Sequence, residues 1–219
     1  MPMRTHELHP AIVHAPLALL PAAAIADLVA TARPRDRALD AVGRTLWWSA
    51  AAGGLAAGLA GMAASQEIEV RGEHARDAMF LHGIGNLGLV VAAFGVAAWR
   101  SRNRACLTTA LSGLAASAAA TYTAYLGGEL VYGHGAGIRA LGGAASEAPA
   151  LFSAAAPGRL ARDAVRGLRW LLSRGARAVT GRERVDRTAL GPLAEAGTGA
   201  VPPAPGTRTD GSGMGAPLS

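Results

Sequence analysis

The sequence predicts an all-α integral membrane protein: an up-down four-helix bundle with a C-terminal amphipathic helix and a disordered tail. Hydrophobic residues make up 51% of the 219 residues and charged residues only 16%, against about 25% charged in a soluble domain. The apolar residues are gathered into four stretches, each long enough to cross a bilayer as a helix of about 20 residues. The links between them are short and polar, which favours antiparallel neighbours. The predicted spans are residues 11–32, 45–64, 78–99 and 105–128.

The first span differs from the others because it carries an acid, Asp27, and two internal prolines, Pro16 and Pro21. Each proline removes a backbone hydrogen bond, so the span is expected to kink close to His14. A secretory signal is the alternative, since residues 30–32 resemble a cleavage site. The apolar run exceeds the roughly 7–15 residues of a signal, so an uncleaved span is predicted. Asp27 lies near the cytoplasmic end of the span and is expected to face the interface.

The arginines predict the orientation of the chain, which contains no lysine. The loop over residues 33–44 carries four arginines and the loop over residues 100–104 carries three, and the positive-inside rule places both loops in the cytoplasm. Both termini then lie outside, in a multi-pass protein of the bacterial plasma membrane. The arginines beyond residue 128 oppose this orientation, but charge in a long segment orients a protein weakly.

The chain after the fourth span divides into three parts. Residues 141–157 are predicted to be a flexible linker, and residues 188–219, rich in small and polar residues, a disordered tail. Residues 158–187 place arginines, Arg174 among them, on one face of a helix and leucines on the other. Such a helix is expected to lie in the membrane interface, held by apolar burial and anionic lipid. Nucleic-acid binding is the alternative, but the adjacent apolar spans favour lipid, and no nucleic-acid partner is expected.

All six histidines map to one end of the predicted bundle: His6, His9, His14, His74, His82 and His134. His14 and His82 lie about one turn inside different spans, where ionisable residues are rare. Neutral imidazole binds iron, copper and zinc, so this pair is a candidate for holding haem b from both sides. Asn86 shares a helix face with His82 and is a candidate to orient its ring. The alternative is that each histidine simply hydrogen-bonds a neighbouring carbonyl.

A second hypothesis is a zinc or copper site built from four neutral imidazoles, those of His9, His14, His82 and His134. Glu129 and Tyr132 lie in a glycine-rich segment after the fourth span. This segment is a candidate lid over the histidines, with Glu129 able to take or give protons, or else a plain cap on the helix end. A third hypothesis is a non-catalytic membrane scaffold whose histidines serve packing or respond to pH.

Several function classes find no support in the sequence. The patterns of serine hydrolases, P-loop nucleotide-binding proteins, dinucleotide-binding proteins and zinc metalloproteases are all missing. The single cysteine, Cys106, excludes an internal disulfide and a cysteine-rich metal cluster. Whether the protein is an enzyme stays open.

Three segments carry a family resemblance. Residues 8–16 read LHPAIVHAP, residues 82–86 read HGIGN, and residues 127–135 read GGELVYGHG. Together with Asp27, they resemble the domain of unknown function 2231 family of bacterial membrane proteins, over roughly residues 6–140. Ala15 stands where that family usually has a bulky aromatic residue.

The resemblance implies a compact four-helix membrane domain. Some members are joined to a Rieske-type iron–sulfur domain, which implies electron transfer and makes a Rieske-type or other redox protein, and quinone, candidate partners. A Rieske centre needs cysteine ligands that this chain lacks.

Overall fold

The computed structural model describes residues 3–138, 141–144 and 149–193, and this part of the chain contains helices and no β-strand. The prediction of an all-α fold is confirmed. Short 3-10 turns cover Thr5–Glu7 and Arg187–Leu190. The α-helices are α1 (Leu8–Ile12), α2 (His14–Ala32), α3 (Arg37–Ala64), α4 (Glu73–Arg100), α5 (Leu107–Tyr132) and α6 (Ala156–Val179).

Within the described residues, three helical stretches are long and apolar enough to cross a membrane: Thr5–Ala32, Arg37–Ala64 and Glu73–Arg100. They contain the first three predicted spans. The fourth predicted span, residues 105–128, falls largely within α5, whose alanines are interrupted by serine, threonine and glycine. Because α5 is not among the three apolar stretches, its passage through a membrane stays a prediction.

Helices α2 and α4 each pack on both α3 and α5, so α2 and α4 lie diagonally opposite one another. The contacts are made mainly by small residues. A Cβ on Gly113 of α5 would lie 2.7 Å from the Cβ of Ala24 in α2. Trp47 of α3, 1% exposed, fills the space beside them. Small residues let helix backbones approach closely, as membrane helices commonly do.

Helix α6 packs on α3 and α4 along part of its apolar face. A Cβ on Gly167 would lie 2.8 Å from the carbonyl carbon of Met62, so the two backbones nearly touch. The next turn places Leu171 against Gly83 of α4. Val165 and Leu172 stay about half exposed beside this contact. The interfacial position of α6 in a membrane stays a prediction.

Arg174 of α6 is buried, not on the exposed polar face, so its predicted position is wrong. Its guanidinium forms ion pairs with Asp77 and Glu183, the latter at 2.7 Å between Nε and Oε1. The same group lies over the rings of Phe80 and Trp170, with its central carbon 5.1 and 5.6 Å from the two ring centroids. A helical wheel reveals only the residues of one helix, whereas Asp77 and Phe80 come from α4.

The predicted disordered tail, residues 188–219, begins in the turn Arg187–Leu190, so the prediction is wrong for its first residues. Ala189 is 4% exposed, and the hydroxyl of Tyr122 donates to the last carbonyl of the turn. These contacts hold the turn against the helices. Residues 194–219 lie outside the described residues.

Part of the predicted flexible linker, residues 141–157, is hydrogen-bonded to the rest of the protein. The amide of Leu151 donates to the carbonyl of Met3 at 2.8 Å. The carbonyl of Gly143 accepts from Glu69 at 3.0 Å. The described portion of this segment therefore connects the N-terminal residues with the loop between α3 and α4.

Candidate functional site

His9 and His82 meet in the interior of the helical assembly. His9 comes from α1, which leads into α2, and His82 comes from α4, so the two rings approach from diagonal positions. Their ring centroids are 6.2 Å apart and their planes lie at 83°. The structure therefore pairs His82 with His9.

Each of these rings is fixed by the backbone of a further helix. His9 Nδ1 lies 2.8 Å from the carbonyl oxygen of Ala57 in α3, and His82 Nδ1 lies 2.7 Å from that of Thr123 in α5. A carbonyl oxygen only accepts hydrogen bonds, so the proton of each neutral ring sits on Nδ1. The lone pair of Nε2 is then the one left to bind another group.

A glycine makes room for each ring. Gly61 follows Ala57 by four residues, and Gly127 follows Thr123 by four residues, so each glycine lies one turn beyond the carbonyl that is bound. A Cβ on Gly61 would lie 3.0 Å from His9 Cε1 and Nδ1. A Cβ on Gly127 would lie 2.9 Å from the Cε1 atom of His82. Both rings therefore occupy the same kind of position, bound to a backbone carbonyl and lying against the glycine one helical turn beyond it.

Asn86 lies against the ring of His82. Its Nδ2 is 3.3 and 3.4 Å from the two ring nitrogens, and it donates to the His82 carbonyl at 2.9 Å. The amide nitrogen is therefore nearly equidistant from the two ring nitrogens. Thr123 donates from Oγ1 to Asn86 Oδ1 at 3.0 Å. Thr123 and Asn86 together fix the orientation of this imidazole.

His14 lies apart from this pair. Its side chain is exposed, and within the described part of the chain it makes neither a hydrogen bond nor a ring contact. Residues five positions apart on a helix point about 140° away from each other, so His9 and His14 cannot both face His82. The structure turns His9 inward and leaves His14 on the outer side of the helix.

His134 belongs to a second, exposed pair. Its ring centroid lies 5.7 Å from that of His74, and His74 Nδ1 is 3.6 Å from the carboxylate of Asp186. The pKa of Asp186 is held below its ordinary value, first by hydrogen bonds from Thr188 and then by His74. The described residues contain no group of three or more His, Cys, Asp or Glu placed to hold a metal ion. The four-histidine set is thus divided.

Glu129 and Tyr132 lie in the last turns of α5, and both are exposed. Their side chains make no described contact with a histidine. Gly135 and Gly137, which follow the helix, have the positive φ angles of 68° and 79° that glycine adopts readily. The segment therefore ends a helix and turns away, and the described contacts do not form a lid over His9 and His82.

A buried charge cluster at the other ends of α2 and α4 was not expected from the sequence. Asp27 is fully buried and does not face the interface, so its predicted position is wrong. Its carboxylate accepts from Arg100 Nε at 3.0 and 3.1 Å and from Trp47 Nε1 at 3.0 Å. The remaining carboxylate, Asp40, accepts from Arg100 at 3.0 Å and from the amide of Ala105 at 2.9 Å. Burial of the acid is compensated by these donors.

Glu67 forms a further buried cluster at the histidine end. It is 2% exposed, and both of its carboxylate oxygens accept from the hydroxyl of Thr5, at 2.8 and 2.6 Å. Arg159 of α6 lies 3.7 Å away, and His6 Nδ1 lies 3.8 Å away. This acid therefore ties the N-terminal turn, the loop after α3 and the start of α6 together.

Comparison with known proteins gives one finding. A family model described as "Predicted membrane protein (DUF2231)" matches residues 5–140, which include α1 to α5 and all six histidines. No curated protein and no solved structure matches the chain.

Proposed function

We propose a function for this chain, which belongs to the DUF2231 family of predicted membrane proteins: it binds a transition-metal ion, copper or zinc, through His9 and His82. The proposal is carried by one observation. Each ring is anchored through Nδ1 to a backbone carbonyl, at 2.8 and 2.7 Å, while the two rings lie 6.2 Å apart. Ligating histidines usually donate their other ring N–H in this way, which fixes the tautomer and the direction of the lone pair.

Two imidazoles leave coordination positions for water or an exogenous ligand. Such an open site is typical of metals that react or are handed on, whereas purely structural zinc has four protein ligands. Asn86 and Thr123 support this role by fixing the ring of His82. The ion would therefore be exchangeable or reactive, and copper and zinc both suit imidazole ligands.

Haem b between His14 and His82 is the competing proposal, with His14 and His82 as axial ligands and Asn86 beside one of them. The exposed side chain of His14 and the contact between His82 and His9 favour the bare ion. Electron exchange with a Rieske-type protein or with quinone requires a metal that changes oxidation state. Of the two proposed ions, copper does so and zinc does not, so these partners are proposed only if the ion is copper. A zinc ion would instead fit a protein that senses or transports the metal.

The proposed membrane arrangement is a four-helix transmembrane bundle of α2 to α5, with α6 in the interface. The cyclic packing of these four helices supports it, as does the match to a family of membrane proteins. Both termini would be extracytoplasmic in the bacterial plasma membrane. Cysteine accessibility at engineered loop positions in intact cells would test the orientation.

The decisive experiment is metal analysis and an absorbance spectrum of the detergent-purified full chain after loading with copper or zinc. H9A and H82A are each expected to lower metal occupancy at least tenfold, since each removes one of two protein ligands. H14A is the matched control, because it removes an exposed histidine five residues from His9, and it should keep the metal. Circular dichroism of each variant verifies that the helices are retained.

Three results would overturn the metal proposal. Equal occupancy in all variants would place the metal elsewhere. A Soret band in haem-supplemented protein that H14A abolishes would establish the haem alternative. Protein that takes up neither metal nor haem would leave a membrane scaffold as the function.

A further inference from the structure

An open cleft of about 670 Å³ lies between the start of α4, the loop that precedes it and the end of α6. It is separate from the histidine pair, and no residue of that pair lines it. Four arginines and three acids contribute to its wall. The cleft is therefore a charged pocket at the histidine end of the molecule.

Two of these arginines are available to a ligand. Arg174 and Arg177 are already engaged, since Glu183 pairs with both and Asp77 pairs with Arg174. Arg76 and Arg184, both exposed, form no ion pair with any described residue.

Glu73 is the lining acid without an ion pair among the described residues. Two guanidinium groups thus face one carboxylate. The excess of positive charge favours the binding of an anion. Guanidinium groups bind phosphate particularly well, because their paired N–H donors match its geometry.

Apolar residues also contribute to the wall of the cleft. Ile68, Val70, Met79 and Trp170 line it beside the arginines, together with the polar Ser65 and Gln66. Trp170 also packs edge-on against Phe80 of α4, with ring centroids 6.4 Å apart. A pocket that offers guanidinium groups and apolar side chains side by side fits an amphiphile better than a small hydrated anion.

The position of the cleft along α4 indicates the depth of such a ligand. The helix carries Glu73, Arg76 and Asp77 in its first turns, and residues 78–99 then contain no charged residue. The change from polar to apolar therefore occurs at the cleft itself. Phosphate headgroups lie at this level of a bilayer, and tryptophan is enriched there.

We infer that this cleft binds an anionic phospholipid, with Arg76 and Arg184 on the headgroup phosphate and the apolar wall against the first part of an acyl chain. A bound lipid would bridge α4 and α6, the two helices that form the wall. The site would thereby give α6 a preference for anionic membranes at a defined position. This inference is independent of the metal proposal and rests on the proposed interfacial position of α6.

Trp170 provides the measurement. The full chain in detergent micelles is titrated with phosphatidylglycerol brominated on its acyl chains, and with brominated phosphatidylcholine at equal mole fraction. Bromine quenches the fluorescence of nearby tryptophans. The part of the quenching that is seen in the wild type and lost in W170F comes from Trp170 and therefore reports lipid in the cleft. The expected result is stronger quenching by phosphatidylglycerol, with the double variant R76Q/R184Q weakening its apparent affinity roughly tenfold.

The matched control is R162Q/R169Q, which removes two exposed arginines of α6 that do not line the cleft. It should leave the preference unchanged, and native mass spectrometry should show phosphatidylglycerol retained by the wild type and lost from R76Q/R184Q. Equal effects of the two double variants would overturn the site, because they would indicate nonspecific attraction. Competition by inorganic phosphate without any lipid preference would also overturn it and would identify a free-phosphate site.

Discussion

Arg100 Nε lies 3.0 Å from the Oδ2 atom of Asp27, although 73 residues separate them in the chain. Both side chains have no exposed surface. The ion pair joins the end of α4 to the last third of α2, which otherwise lie diagonally opposite in the helical assembly. It therefore fixes across the core two helices that pack mainly on their neighbours.

Replacing Arg100 by glutamine is expected to destabilise the protein by about 3–5 kcal/mol, because the carboxylates of Asp27 and Asp40 would remain buried without their shared cation. Urea or SDS unfolding in detergent, followed by circular dichroism, measures the loss. R102Q removes an exposed arginine two residues away and should change the free energy of unfolding by less than about 0.5 kcal/mol. Similar losses in the two variants would contradict a special role of the buried pair.

Replacing Gly61 by alanine is expected to displace the ring of His9, because the new Cβ would lie 3.0 Å from two of its atoms. The bond between His9 and Ala57 would weaken, and metal affinity should fall roughly 10- to 100-fold, as it does when groups that orient a ligand are lost. G58A is the control, since nothing lies within 4 Å of its new methyl group. A shift of the His9 imidazole resonances by NMR in G61A but not in G58A would verify the displacement without metal.

Replacing Gly167 by alanine is expected to separate α6 from α3. Its Cβ would press on the Met62 backbone, which cannot rotate away as a side chain does, and the cost should be about 1–3 kcal/mol. Faster tryptic cleavage at the arginines of α6 measures this separation. G175A lies on the same helix with nothing within 4 Å, so it should slow cleavage slightly by favouring the helix. Unchanged cleavage in G167A would mean that α6 is not held there.

Lowering the pH is expected to loosen the end of α6 through Glu183. The side chain of Arg177, followed by the charges of Arg174 and Arg177, holds the pKa of Glu183 below its ordinary value of 4.5. Because the pKa is lower in the folded protein, the stabilisation is complete above the ordinary pKa and is lost as the pH falls through the lowered one. Trp170 fluorescence between pH 6 and 3 follows the change.

The variant E183Q should remove the part of this acid transition that Glu183 contributes. E69Q, which alters an exposed acid in the loop before α4, should leave it in place. An acid transition that is identical in the wild type and E183Q would show that another group causes it.

The helices could be predicted because long apolar runs between arginine-rich loops leave few alternatives in a chain of this composition. The partner of His82 could not. His9 and His14 are both near the start of the first span and point in different directions on the helix. Which one faces inward depends on how α1 packs on α3, and the sequence of the span alone does not contain that information.

The buried position of Asp27 could not be predicted from the sequence for a different reason. An acid in an apolar span indicates a buried partner or a functional site, and that signal was present in the sequence. Its partner, Arg100, instead resembles one of several loop arginines that set orientation. Only the three-dimensional arrangement of α2, α3 and α4 shows that this arginine is buried and shared with Asp40.

The histidine pair and the buried ion pair share one spacing along the chain. The same offset of 73 residues separates His9 from His82 and Asp27 from Arg100, so each charged residue follows its histidine by 18 positions. Both pairs therefore link the same two helical stretches, α1–α2 and α4, once near each end. Two fixed points prevent one stretch from sliding or rotating along the other, so the register that joins the two imidazoles is also the register that joins the two charges.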